Sequence, residues 1–183
     1  DTLAGESGFA LAYARGVLEY KAAQDLTVED QPPSQEAREA YRRAAMLLEE
    51  AMREHDAEQW SDAMSGCASL LGWCRWYQGD MESARVAFLE SAGDGLDFDN
   101  EEAFWMAVVS QDRHVREEST VEAQSILSEL IAEYMRRWPS GVRAGTLTVR
   151  QIEEAAPSLE AVEQLMGLNP EDPAWDAAQL RAA

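Results

Sequence analysis

An all-α fold, an array of antiparallel helix pairs, is the class that three features of this chain predict. Apolar residues recur at helical spacing from Glu6 to Met166. Much of the 46% hydrophobic content is alanine, the strongest helix former. No stretch sustains the β-branched alternation of a half-buried strand. Seven or eight helices and no sheet are expected, and a far-ultraviolet circular dichroism spectrum dominated by strand would contradict this.

At 183 residues and 20.3 kDa the chain is the size of one domain with a real core, and a single helical domain over residues 1–183 is expected. The first residue is Asp1 and no leader-like stretch follows, which suggests a processed start or a part of a larger protein.

The first helix is predicted from about Glu6 to Gln24, with Phe9, Tyr13, Val17 and Tyr20 as its apolar face. Residues 27–33, TVEDQPP, carry two prolines and read as an exposed loop. Ser34 then caps a helix with Ala37, Tyr41, Ala44, Leu48 and Met52 inward and Arg42, Arg43, Glu49 and Glu50 outward.

The stretch from Ser65 to Ala92 reads as two helices joined by the turn Gln78-Gly79-Asp80. Gly79 can adopt the left-handed conformation that ends a helix, and Asp80 can cap the next one. So short a link makes the two helices antiparallel neighbours. Cys67, Leu71 and Cys74 form the inner stripe of the first, and Ala84, Phe88 and Leu89 that of the second. Ala68, Gly72 and Ala84 allow close approach.

Beyond it, Asp99 with Glu102 makes a capping-box-like start for a helix over about Glu101 to Arg113. Phe104, Trp105, Met106, Val108 and Val109 make that helix apolar around most of its girth, so it is expected inside. Ser119 or Thr120 opens another that reaches Trp138, with the stripe Ala123, Leu127, Leu130, Ile131 and Tyr134, and Pro139-Ser140-Gly141 ends it. Shorter helices are predicted over Thr148 to Ala155 and Ser158 to Met166. Asn169-Pro170 and Pro173 then precede a last turn from Trp175.

Residues 65–92 resemble the tetratricopeptide repeat (TPR) family, whose signature is W-x2-L-G-x2-Y…A-x3-F…P. Leu71-Gly72 matches L-G and Ala84-x3-Phe88 matches A-x3-F. Ala68, Arg75 and Leu96 stand where the Trp, Tyr and Pro belong. Ala-x3-large recurs at Ala37/Tyr41, Ala84/Phe88, Ala123/Leu127 and Ala161/Leu165, with successive alanines 47, 39 and 38 residues apart. These repeats would be degenerate and longer than the family's own period. The resemblance implies a TPR-like right-handed α-solenoid that holds a partner segment in a concave groove.

The net charge of −20, from 35 acidic and 15 basic residues with Lys21 the only lysine, argues against nucleic-acid and anionic-membrane partners. Cys67 and Cys74 on one helix would lie about 10 Å apart along its axis, too far for a disulfide. As buried thiols they favour a reducing, cytoplasmic setting.

No catalytic set is legible. P-loop, Rossmann and nucleophile-elbow patterns are absent. His55 with Glu58 and His114 with Glu117 form H-x2-E pairs that could share a helix face, but the paired E-x2-H of di-iron bundles is missing. Residues 94–102 distantly resemble a calcium loop that lacks its glycine. No catalytic residue, metal or cofactor is therefore assigned, and the chain is not expected to be an enzyme.

The TPR resemblance implies that Trp73, Trp76 and Tyr77 line the groove, and helical geometry puts Trp73 and Trp76 nearly opposite Leu71. Arg75, Trp105 and Arg113 complete the expected surface. Packing of the aromatics on neighbouring helices is the competing reading. The expected function is a protein-interaction scaffold that binds a basic or amphipathic protein or peptide segment, steered by acidic charge. A ligand-sensing regulatory domain and a helical-bundle metalloenzyme are the alternatives. The family's Lys and Arg clamps for acidic tails find little support in a chain with one lysine. Trp73→Ala and Trp76→Ala are expected to weaken partner capture with little change in the thermal midpoint.

Overall fold

The computed structural model describes residues 8–141, 143–148, 163–164, 166–168 and 174–175. Among them it is helical, with no strand. The chain divides into two compact units, Asp1–Leu130 and Ile131–Ala183. The helices are α1 (Phe9–Asp25), α2 (Gln35–Arg53), a 3-10 turn (Ala57–Trp60), α3 (Ser61–Gln78), α4 (Met81–Ala92), α5 (Phe98–Glu117) and α6 (Val121–Arg137). Residues 144–148 are helical as well. None of the described helices is long and apolar enough to cross a membrane.

Helices α1 to α5 pack each on its neighbours in the chain, and the contacts among α1 to α4 show that these neighbours run antiparallel. Between α1 and α2, Leu48 lies over Gly16 while Tyr41 meets Tyr20. Between α2 and α3, the Leu48 carbonyl accepts from Cys67 while Tyr41 stacks on Tyr77 at 4.6 Å. Between α3 and α4, Ser65 bonds the Ser91 carbonyl and Gly72 faces Phe88. In each pair a later residue of one helix meets an earlier residue of the other.

The ends of these helices have identifiable chemistry. Ser34 Oγ accepts from Ala37 N at 3.1 Å and Asp80 Oδ1 from Ser83 N at 3.1 Å. Gly79 sits at φ 84°, and the amides of Gly79 and Asp80 close on the last carbonyls of α3. The cap of α5 is Asp97, not Asp99: Asp97 Oδ1 accepts from Asn100 N at 3.0 Å, so the helix begins earlier than expected. Leu96 and Phe98 beside it are exposed, and the apolar pattern carries no sign of this extra half-turn. Helix α1 is capped from a distance, with Asp56 Oδ1 accepting the Phe9 amide at 2.8 Å.

The core follows small residues more closely than the sequence pattern suggests. On α1 the fully buried line is Phe9, Ala12, Gly16 and Ala23, while Tyr13 and Tyr20 are only partly buried at its edge. On α2 Ala37, Ala40, Tyr41, Ala44, Ala45, Leu48 and Ala51 are buried, and on α3 Cys67, Leu71 and Cys74 complete the cluster. Ala84, Phe88 and Ala107 form a second cluster across α4 and α5. The inner position of α5 is observed, since no residue from 100 to 112 is exposed. Gln111, buried with it, donates to the Ala123 carbonyl at 2.8 Å.

Thr120 Oγ1 accepts from Ala123 N at 3.1 Å at the start of α6, and the predicted α6 stripe is buried throughout. In the second unit Tyr134 packs on Trp138 at 5.4 Å, and Ala144 and Leu147 are buried. Of the Ala-x3-large pairs, Ala37/Tyr41, Ala84/Phe88 and Ala123/Leu127 are all buried. The fourth pair, most of the two shorter helices predicted after Thr148 and all but the start of the last turn lie outside the described residues.

Candidate binding clefts on α3 and α5

Helix α3 is apolar on two sides because it is packed on two sides. One side, Cys67, Leu71 and Cys74, faces α2. Another carries Trp73, which meets Phe88 edge-on at 5.4 Å and an interplanar angle of 84°, and stacks on Tyr77 at 6.1 Å. Trp73 and Trp76 are both packed against the Ala84–Phe88–Ala107 cluster and remain partly exposed. Packing on neighbouring helices is thus observed for both aromatics, and part of each side chain stays accessible. Truncation of either would remove packing from the Ala84–Phe88–Ala107 cluster as well as accessible aromatic surface.

The structure distributes the six predicted surface residues over more than one cleft. Trp73 lies in a cleft of about 540 Å³ between α3 and α5, lined also by Asp62, Ser69, Asp99, Glu102 and Met106. Trp76, Tyr77 and Arg113 lie in a second cleft of about 450 Å³ with Arg38 and the loop residues Gln31 to Pro33. There the Arg113 guanidinium sits over the Trp76 ring at 5.1 Å and bonds Glu117 at 3.1 Å. Tyr77 is largely a packing residue, sandwiched between Tyr41 and Trp73.

Arg75 and Trp105 belong to neither cleft. Arg75 projects roughly 100° around the α3 axis from Trp76. It forms an ion pair with Glu49 of α2 and bonds Gln78. Periodicity alone puts Glu49 on the solvent side of α2, and this interhelical pair is what it meets at that edge. Trp105 is partly buried on α5.

Sequence reasoning missed the polar lining of the first cleft. The signal was present: Asp62, Gly66, Ser69 and Trp73 recur at spacings of four, three and four on α3, and Asp99, Glu102, Ala103 and Met106 at three, one and three on α5. Each set shares one helix face. Among the described residues neither Asp62 nor Asp99 is in an ion pair, and no Arg, Lys or His lines this cleft.

The described residues place one His-carboxylate group within reach of a shared ion, Glu54, His55 and Asp56, with ligand atoms within 4.8 Å of one another. It is not either of the H-x2-E pairs read from sequence. His55 lies past the end of α2, so it and Glu58 do not share a helix face. Asp56 already serves the fold, because the bond it accepts from the Phe9 amide holds its carboxyl below the usual range.

Burial pushes both cysteine thiols up to about 12, Cys67 with a further contribution from Glu90. They are neutral packing groups, not nucleophiles. No protein-family model matches this chain, and no curated protein is significantly similar to it.

Proposed function

We propose that this chain is a protein-interaction module of the TPR type, a right-handed solenoid of antiparallel helix pairs that receives a partner segment rather than transforming a substrate. The observation that carries this reading is the cleft between α3 and α5: an aromatic side chain, Trp73, partly accessible among carboxylates and serines. Partly accessible aromatics within a polar rim are typical of interface hot spots. The partner is a basic or amphipathic protein segment. The strong negative charge raises the rate at which such a segment is encountered and repels nucleic acid and anionic lipid.

Selection of a displayed random peptide library on the immobilised protein tests this. Ser69→Arg places bulk and positive charge on the cleft wall without touching the buried clusters. Peptides enriched on the wild type and lost on Ser69→Arg support the reading. No enrichment, or enrichment that Ser69→Arg leaves intact, overturns it. A metal or metabolite that stays bound stoichiometrically through purification would favour an enzyme or a sensor instead.

A further inference from the structure

Two large apolar side chains stand in solvent where α4 gives way to α5, Leu96 at 64% exposure and Phe98 at 61%. Neither lines either of the two clefts. The backbone that presents them is braced on both sides. Asn100 Nδ2 donates to the Ala92 carbonyl at 2.8 Å, its side chain fills the space that a Cβ on Gly95 would need, and its own amide is held by Asp97 Oδ1 at 3.0 Å. Leu96 directly precedes the N-cap, a position from which an apolar side chain commonly packs on the fourth residue of the helix. That residue here is Glu101.

We infer that Leu96 and Phe98 anchor a docking surface separate from the cleft floored by Trp73, and that its partner is an amphipathic helix whose apolar stripe is edged by lysine or arginine. The surface stands whether or not that cleft is filled. Leu96 and Phe98 alternate with Asp97 and Asp99, Asp94 lies just before them, and no Lys, Arg or His occurs between Arg85 and Arg113. A wholly apolar partner would strip water from these carboxylates without replacing it. A wholly basic one would leave the leucine and the phenylalanine in water. An apolar stripe with cations along its edges answers both demands at once, whereas nucleic acid and anionic lipid are repelled.

Asp97 is committed to the cap of α5, so the attraction on the partner's cations comes chiefly from Asp94 and Asp99. Neither is in an ion pair among the described residues, and an incoming cation displaces no other. The bracing by Asn100 and Asp97 keeps the cost of ordering this connection on docking low. Phe98 supplies the aromatic anchor that such surfaces favour.

The probe is a synthetic leucine–lysine helix, with leucines at i, i+3, i+4 and i+7 and lysines along both edges, titrated into ¹⁵N-labelled protein. The amides of residues 94–99 should shift most. Leu96→Ser with Phe98→Ser should weaken binding by roughly tenfold or more, and Ser69→Arg should leave it unchanged. Both side chains are exposed, so the thermal midpoint of the double variant should match the wild type, which separates lost docking from lost folding. Asp94→Asn with Asp99→Asn keeps the apolar pair and should weaken binding by roughly fivefold at low salt and by much less at high salt. A peptide with the same residues scrambled, or with glutamate in place of lysine, should bind far more weakly. Binding that the two serine substitutions or the two asparagine substitutions leave intact, equal binding of the scrambled peptide, or no binding at all would overturn the inference. Shifts centred on Trp73 and lost on Ser69→Arg would also overturn it, and would support the proposed function of the cleft instead.

Discussion

Phe88 of α4 lies so close over Gly72 of α3 that a Cβ built at Gly72 would stand 2.7 Å from the ring. The same ring makes a T-shaped contact with Trp73 at 5.4 Å. One buried side chain thus fixes the spacing of α3 and α4 and supports the aromatic that lines the cleft.

Gly72→Ala is therefore destabilising although alanine is the better helix former. Overpacking costs about 1–3 kcal/mol, against about 1 kcal/mol regained in helix propensity. Urea denaturation should show a net loss of up to roughly 2 kcal/mol. A gain in stability would mean that α3 and α4 are less tightly apposed than described.

The start of α5 separates the structure from the simplest sequence reading. Asp97→Ala should cost about 1 kcal/mol as a lost N-cap, and Asp99→Ala only a few tenths. Equal losses, or a larger one at Asp99, would move the cap back to the position that the spacing of Asp99 and Glu102 suggests.

Asp56 joins the segment after α2 to the first turn of α1 through the Phe9 amide. Its folded pKa is depressed, chiefly by that bond. A depressed carboxylate stabilises the fold above its unfolded value of 3.8 and loses that contribution as the pH falls through the lower folded value. The protection factor of the Phe9 amide, its exchange rate relative to the intrinsic rate at the same pH, should fall in Asp56→Ala at neutral pH and in the wild type under acid. Unchanged protection would show that the cap does not hold in solution.

The thiols work in the opposite direction on the pH scale. Cys67 and Cys74 have folded values of about 12 against 9.0 for the free group. A raised thiol value means that the fold favours the neutral form, so this contribution is full below pH 9.0 and is lost as the pH climbs toward about 12. Stability should fall on the alkaline side, and Cys67→Ala with Cys74→Ala should flatten the fall. A residual slope comes from Tyr20 and Tyr41, whose phenols burial also pushes up. In the native protein at about pH 8 both thiols should resist a thiol reagent until the chain unfolds.

How much of this was legible in the chain follows from what each signal reports. Helical periodicity, Ser34, the Gly79-Asp80 turn and the buried Ala-x3-large pairs are local, and they predict α2, α3, α4 and the inner character of α5. Arg75 escapes them because its partner Glu49 comes from another helix and periodicity is blind to partners. The stripe of α1 drifts because Gly16 and Ala12, not the tyrosines, make the close contact, and small residues carry little weight in an apolar pattern. The acidic lining of the first cleft is visible in the sequence only as two separate helix faces. Their convergence is a property of packing.

Occupation of the cleft floored by Trp73 by a partner segment is reported most directly by indole N–H resonances. The chain has six tryptophans, so Trp→Phe variants can assign their Nε1–H signals in a ¹⁵N-labelled sample. Titration with a peptide selected on the wild type should shift the Trp73 signal first and most, and leave exposed Trp60 unmoved. A saturating peptide that shifts Trp60 or Trp138 while Trp73 stays in place would contradict binding in this cleft.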